Sequence, residues 1–123
     1  MSYKIKILSQ DEHVEESLWI EVDGKILNVF CSDYNFVFNV NSIYHVELEY
    51  EIFNEYVPEI TDNSPQFRKI DQSFTYEIIG MLNNGNLSVG DIFFKDEILL
   101  SEYGYLDNKI ISLKVDRIKL YFD

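Results

Sequence analysis

Apolar and polar residues alternate along most of this chain, as expected for β-strands that bury one face. Residues 3–7 alternate between apolar side chains and lysines, which predicts a first strand. Two further β-rich runs, at 18–22 and 25–30, lie on either side of Asp23 and Gly24. Asp-Gly between such runs favours a type I′ turn, because both central residues of that turn need a positive φ. The sequence therefore predicts a β-hairpin here.

The most distinctive run is 45–53, in which His45 and three glutamates alternate with apolar residues. A strand with this pattern has one apolar face and one face on which neighbouring carboxylates repel one another. Residues 26–67 contain no lysine or arginine and seven acids, which are Asp33, Glu47, Glu49, Glu51, Glu55, Glu59 and Asp62. We expect a strip of negative charge that either keeps the protein soluble or binds a basic partner.

The remaining segments continue the β pattern. Residues 55–66, with two prolines, predict a long irregular connection, and strands are expected on both sides of a turn at 83–85. In the last run, 109–122, the apolar residues change from odd to even positions near Asp116 and Arg117. We interpret this change as a β-bulge within one long bent strand that closes a barrel.

These elements together predict an all-β fold with little helix. We expect a single small twisted barrel of about 8–10 strands, with a sandwich as the alternative. The hydrophobic fraction of 46% is large enough for a core, and 123 residues is the size of one domain. We therefore expect a single β-barrel-like domain over 1–123.

The formal net charge of −12 argues against nucleic acid or an anionic membrane as the ligand. It favours a basic protein as the partner. Cys31 is the only cysteine, so the chain has no internal disulfide, and we expect a buried thiol. The first residues are too polar for a signal peptide, and no apolar run reaches the ~20 residues that span a bilayer. We expect a cytoplasmic protein.

Three glycines at five-residue intervals, Gly80, Gly85 and Gly90, precede Asp91. This pattern resembles the glycine pattern in the second-domain β-barrel of translation GTPases, over about a tenth of the chain. The resemblance implies a small closed barrel with these glycines at turns or close approaches. It does not imply GTPase activity, because the phosphate-binding loop is absent. Three ordinary hairpin glycines are the alternative interpretation.

We find no catalytic motif. His13 and His45 have no second His or Cys at ligand spacing, and the acids around His13 do not match a calcium loop. No nucleophile elbow is present. We therefore expect no enzyme activity, no metal and no cofactor. The basic residues of the last run are too few for a nucleic-acid groove, and we interpret them as offsetting the acidic strand or closing the barrel. They are Lys109, Lys114, Arg117 and Lys119.

Three functional hypotheses remain. The first is a non-enzymatic domain that binds a basic protein through an acidic strand face. Small, acidic, motif-free β-rich chains are similar to toxin-immunity proteins, and charge complementarity would speed association with a nuclease toxin. The second is a self-associating structural or accessory barrel, such as a homodimer through an edge strand. The third is a barrel that binds a small ligand in its mouth.

The first hypothesis predicts an interface with carboxylates around a few aromatic anchors. The predicted partner-binding acids are Glu47, Glu49, Glu51, Glu55 and Glu59. The predicted anchors are Tyr50, Tyr56 and Trp19.

Overall fold

The computed structural model describes residues 2–32 and 39–122 and confirms the all-β class. Asp33, one of the seven acids, lies outside the described residues. The chain forms two compact units. The barrel unit comprises Met1–Glu51 and Arg117–Asp123, and the sheet unit comprises Ile52–Asp116. That all 123 residues form a single domain stays a prediction.

Eleven strands and two short helical turns occur within the described residues. The strands are β1 (Tyr3–Gln10), β2 (Ser17–Val22), β3 (Lys25–Phe30), β4 (Ile43–Glu51), β5 (Glu59–Ile60), β6 (Gln66–Lys69), β7 (Tyr76–Asn83), β8 (Asn86–Val89), β9 (Ile92–Lys95), β10 (Ile110–Val115) and β11 (Arg117–Phe122). The helical turns are α1 (Glu97–Glu102) and a 3-10 turn (Gly104–Leu106).

The barrel unit is a closed five-stranded barrel in the order β1-β2-β3-β11-β4, with β4 returning to β1. All neighbouring strands are antiparallel except β3 and β11, which run parallel. Its core consists of aliphatic side chains at every second strand position, each no more than 8% exposed. Fully burying one such side chain contributes about 1.5–3 kcal/mol. The core residues are Ile5, Ile7, Leu18, Ile20, Val22, Leu27, Val29, Val46, Leu48, Ile118 and Leu120.

The predicted hairpin is confirmed as β2 and β3, which pair from Ser17 opposite Phe30 to Val22 opposite Lys25. Its turn has φ values of 50° at Asp23 and 73° at Gly24, as the type I′ geometry requires.

The sheet unit is a second sheet in the order β5-β10-β7-β8-β9. The strand β6 pairs with the first half of β7, and β8 pairs with its second half. Most of its buried side chains again occupy alternate strand positions, although in β7 the consecutive residues Ile78 and Ile79 are both buried. The buried residues include Tyr76, Ile78, Leu82, Leu87, Val89, Ile92, Phe94, Ile111, Leu113 and Val115. The long connection predicted at 55–66 contains only the two-residue strand β5 and the first residue of β6.

The prediction of one long bent strand over 109–122 is wrong. The run forms two strands, β10 and β11, which belong to different sheets. Asp116 separates them, and its Oδ2 accepts a hydrogen bond of 2.7 Å from the backbone N–H of Phe53. The change from odd to even apolar positions therefore marks a change of sheet, because each strand must turn its apolar side chains towards a different core. The prediction that this run closes a barrel is met by β11.

The helix α1 was not predicted from the pattern. It begins after Asp96, whose Oδ1 accepts hydrogen bonds from the N–H groups of Ile98 (2.9 Å) and Leu99 (3.4 Å). A carboxylate at this N-cap position satisfies backbone donors that a helix of six residues cannot satisfy itself. Leu99 is the buried residue of the helix.

The three regularly spaced glycines lie in the sheet unit, whereas the closed barrel is formed by the other unit. Gly85 and Gly90 have φ values of 80° and 60° and lie in turns. Gly80 lies within β7, where a Cβ would come 2.4 Å from the carbonyl oxygen of Ser88. Each position thus has a local steric reason for glycine. The resemblance to translation GTPases stays an expectation.

Replacing Gly85 by alanine is expected to destabilise the protein more than replacing Gly24. Both residues have a positive φ, so each alanine incurs about 1–2 kcal/mol of backbone strain. A Cβ at Gly24 would have no atom within 4 Å, whereas one at Gly85 would lie 2.9 Å from the Cβ of Leu100 on α1. Circular dichroism melting curves of Gly85→Ala and Gly24→Ala measure the difference. Equal losses would contradict the close packing of α1 on this turn.

Candidate functional site

The acidic strand has the predicted arrangement of its two faces. Val46 and Leu48 of β4 are buried, while Glu47 and Glu49 are exposed and Glu51 is half-buried. We call the outward row of Glu47, Glu49 and Glu51 the acidic ladder. Successive residues of a strand point to opposite faces, so burial of the two aliphatic side chains turns the carboxylates outward.

The neighbouring strand β11 places polar partners directly opposite the acidic ladder. Arg117 is opposite Glu51, Lys119 is opposite Glu49, and Tyr121 is opposite Glu47. Residues opposite each other on antiparallel strands share a face. The expected row of mutually repelling carboxylates is therefore flanked by two cations and a phenol on the outside of the same barrel. This arrangement matches the prediction for Arg117 and Lys119, whereas Lys109 and Lys114 lie in the sheet unit, with Lys114 opposite Glu77 of β7.

Arg117 has the most closely packed of these side chains. Its Nε donates a hydrogen bond of 2.6 Å to Oε1 of Glu51, and its guanidinium carbon lies 3.9 Å from the ring centroid of Phe30 on β3. Both members of the ion pair keep only a quarter to a third of their side-chain area exposed, at 25% and 30%. The cation therefore links three neighbouring strands of the barrel.

The hydroxyl of Tyr121 donates a hydrogen bond of 2.7 Å to Oε1 of Glu49. This bond raises the pKa of Tyr121 above its usual value, and the hydrogen bond with Tyr121 likewise raises the pKa of the Lys119 ammonium. Lysine and tyrosine are protonated at neutral pH even without these shifts, so Lys119 is a positive charge beside the ladder. On the other side of β4, Lys4 of β1 is opposite His45 and exposed.

Of the two aromatic residues predicted as anchors in the barrel unit, Tyr50 faces away from the acidic ladder, and Trp19 lies on β2, which β1 separates from β4. Tyr50 of β4 is opposite Ile118 and lies on the inward-facing side of its strand, where it is half-buried. Trp19 of β2 is opposite Asn28 and is also half-buried. Asn28 is 5% exposed, and its Nδ2 donates to Oγ of Ser17 (2.8 Å) and to the carbonyl oxygen of Leu18 (3.2 Å). Roles for Tyr50 and Trp19 in binding stay predictions.

The remaining predicted residues, Glu55, Tyr56 and Glu59, lie in the sheet unit. Both glutamates are exposed, and Glu59 is in the short strand β5. Tyr56 is half-buried, and its hydroxyl donates a hydrogen bond of 2.6 Å to Oδ2 of Asp96, the N-cap of α1. Tyr56 therefore joins the segment 52–62 to the segment that carries α1.

The structure adds two tyrosines to Tyr56. The ring of Tyr103 stacks on Tyr56 with centroids 5.6 Å apart and an angle of 28° between the planes. Its hydroxyl donates to the carbonyl oxygen of Tyr56 at 3.4 Å. Tyr105 follows with its ring 6.1 Å from that of Tyr103, and it is 71% exposed. We call Tyr56, Tyr103 and Tyr105 the tyrosine row.

The tyrosine row lies in a strongly acidic part of the sheet unit. It joins two segments, 52–62 and 96–107, which contain no lysine or arginine. Lys95, just outside the second segment, has its Nζ 3.7 Å from Oε1 of Glu97 in an exposed ion pair. The acids in the two segments are Glu55, Glu59, Asp62, Asp96, Glu97, Glu102 and Asp107.

Sequence reasoning did not single out Tyr103 or Tyr105, because no motif or strand pattern marked them as binding residues. The absence of basic residues over 96–107 was a signal that could have pointed to them. The sequence could not show the contact of Tyr103 with Tyr56, because the two residues are 47 positions apart in the chain.

The described residues contain no group of three or more His, Cys, Asp or Glu side chains that could hold a metal ion. His13 and His45 are both exposed. Cys31 is buried, as expected, at 5% exposure. Across the same residues, no helix combines the length and apolar character that crossing a membrane requires.

A family model described as "Uncharacterised conserved protein UCP019853" matches residues 1–122. No curated protein and no solved structure matches the chain.

Replacing Arg117 by alanine is expected to destabilise the barrel by about 1–3 kcal/mol, because the change removes packing on Phe30 and leaves the half-buried Glu51 without its ion-pair partner. Lys119→Ala removes the same charge from the next outward position of β11 and is expected to cost less than Arg117→Ala, because solvent screens the interactions of an exposed ammonium. Urea unfolding followed by the fluorescence of Trp19, the one tryptophan of the chain, reports on this unit. Equal small losses would contradict a structural role for the Arg117 ion pair.

Proposed function

The chain belongs to the family of uncharacterised conserved proteins UCP019853, and we propose that it is a non-enzymatic domain that binds a basic protein. The observation that carries this proposal is the tyrosine row within two segments that hold seven acids and no basic residue. We propose this surface, with Glu55 and Glu59, as the interface.

Tyrosine is enriched at the energetic centres of protein interfaces, because its ring buries a large area with little loss of side-chain freedom. A rim of carboxylates adds long-range attraction for a basic partner and repels acidic ones. The surface therefore combines aromatic anchors with surrounding carboxylates that favour a basic partner. The acidic ladder of β4 is a weaker candidate, since Arg117 and Lys119 offset its charge within the barrel.

A nuclease toxin is one specific partner of this kind, and the protein would then act as an immunity protein. A nuclease carries a basic surface for its nucleic-acid substrate. An acidic protein seated on that surface would block access to the substrate. Such a complex is expected to associate rapidly and to weaken as salt rises, because screening shortens the range of the attraction.

Reversing the charges of Glu55 and Glu59 is expected to lower partner capture by about ten-fold or more. The experiment compares tagged wild-type protein, Glu55→Lys/Glu59→Lys and Glu47→Lys/Glu49→Lys in native cell lysate at low and high salt. Captured proteins are identified by mass spectrometry. The two variants form a matched pair, since each contains two reversals and therefore the same change in net charge.

The expected result is a basic protein that wild type and the β4 variant capture at low salt and that the Glu55/Glu59 variant loses. Loss with the β4 variant alone would move the interface to the acidic ladder. Capture of the protein itself alone would favour the homodimer, and capture of nothing would contradict the proposed function. Circular dichroism of each variant establishes that the fold is retained.

A further inference from the structure

We propose that the tyrosine row recognises an arginine side chain of the basic partner, with the guanidinium lying on the exposed ring of Tyr105. This inference rests on the proposed function, because it specifies what the same surface binds. Three properties of the surface support arginine binding, namely the fixed inner rings of the row, the exposure of its last ring and the charge around it.

The inner part of the row is held from several directions. The hydroxyl of Tyr56 donates to Asp96, which also caps α1. Tyr103 both stacks on the Tyr56 ring and donates to its carbonyl oxygen. A side chain fixed in this way has already lost most of its rotamer freedom before a partner arrives, so binding loses less entropy.

The backbone that carries the outer ring is fixed by its neighbours in the chain. Leu106 is 3% exposed and anchors the 3-10 turn, while the N–H of Asp107 donates to the carbonyl oxygen of Gly104 at 3.1 Å. Tyr105 lies between these residues and is 71% exposed. A ring face open to solvent at the end of a fixed aromatic row is accessible to a group that stacks on it.

The charge around the row selects a cation. Glu102, Asp107 and Glu97 are exposed acids in the segment that carries Tyr103 and Tyr105. A cation over a tyrosine face is attracted by the negative face of the ring, and the nearby carboxylates add to this attraction. The potential excludes phosphate-bearing ligands such as nucleic acids.

Arginine fits this surface better than lysine. The guanidinium is planar, stacks on an aromatic face and is more weakly hydrated than an ammonium, so it loses less solvation on binding. Its remaining N–H groups can donate to carboxylates while the plane lies on the ring. The occupant that we propose is therefore an arginine-bearing segment of a basic protein.

The test uses two synthetic peptides of identical length and net charge, one with arginines and one with lysines at the same positions. Isothermal titration measures their dissociation constants for the full chain at low salt. Wild type is expected to bind the arginine peptide about three- to ten-fold more tightly. Tyr105→Phe is expected to keep this preference, because phenylalanine retains the ring face. Tyr105→Leu is expected to lose it.

Tyr121→Leu is the matched control, since Tyr121 is an exposed tyrosine of the barrel unit, at 37% exposure, and the preference should survive there. Equal affinity of wild type for the two peptides, or an unchanged preference in Tyr105→Leu, would overturn the inference. If the Glu55→Lys/Glu59→Lys variant still bound both peptides more weakly than wild type, only this inference would fail. If that variant bound both peptides as wild type does, the proposed function would fail as well.

Discussion

The pairing of β4 with β11 is the interaction on which the barrel depends. The strand β11 lies between β3 and β4 and completes the closed order of five strands. Without it, β3 and β4 would each present an open edge, which is a site for unwanted strand pairing. The strand that closes the barrel also has Arg117 and Lys119 opposite the acidic ladder. Closure of the backbone and compensation of charge are therefore achieved by the same six residues.

This charge compensation gives the acidic ladder a structural explanation. The strict alternation of β4 is explained by burial of Val46 and Leu48, which turns the glutamates outward. A row of carboxylates alone would repel, but cross-strand cations convert the row into a mixed surface. The ladder is therefore explained by the barrel itself, and it does not require a partner.

A second concentration of negative charge lies in the sheet unit, where Lys95 pairs with one of the acids, Glu97. In the sheet unit, the segments 52–62 and 96–107 carry acids without basic residues, and the contact of Tyr56 with Tyr103 joins them. Aromatic side chains fixed by stacking and by the hydrogen bond to Asp96 offer an interface that needs little reorganisation. The proposed interface therefore lies where these acids and the tyrosine row occur together, and not on the strand with the most regular sequence pattern.

The sequence by itself determined the local elements, because these depend on neighbouring residues. Alternation predicted β4, and the Asp23-Gly24 turn predicted the β2–β3 hairpin. The sequence pattern did not predict the six-residue helix α1, because its signal is a single capping aspartate in a run that is otherwise β-like. The apolar phase change at Asp116 was visible in the sequence. Only the tertiary structure showed that it divides two sheets, because a bulge and a change of sheet leave the same pattern.

Of the candidate site, the sequence identified Glu55, Glu59 and Tyr56 as residue types suited to binding a basic protein. It did not identify which acids are compensated, because Arg117 meets Glu51 only through the pairing of distant strands. For the same reason, it did not show that Tyr103 stacks on Tyr56. Side-chain chemistry and strand periodicity are local properties of the chain, whereas charge compensation and aromatic stacking depend on long-range register, which only the folded core decides.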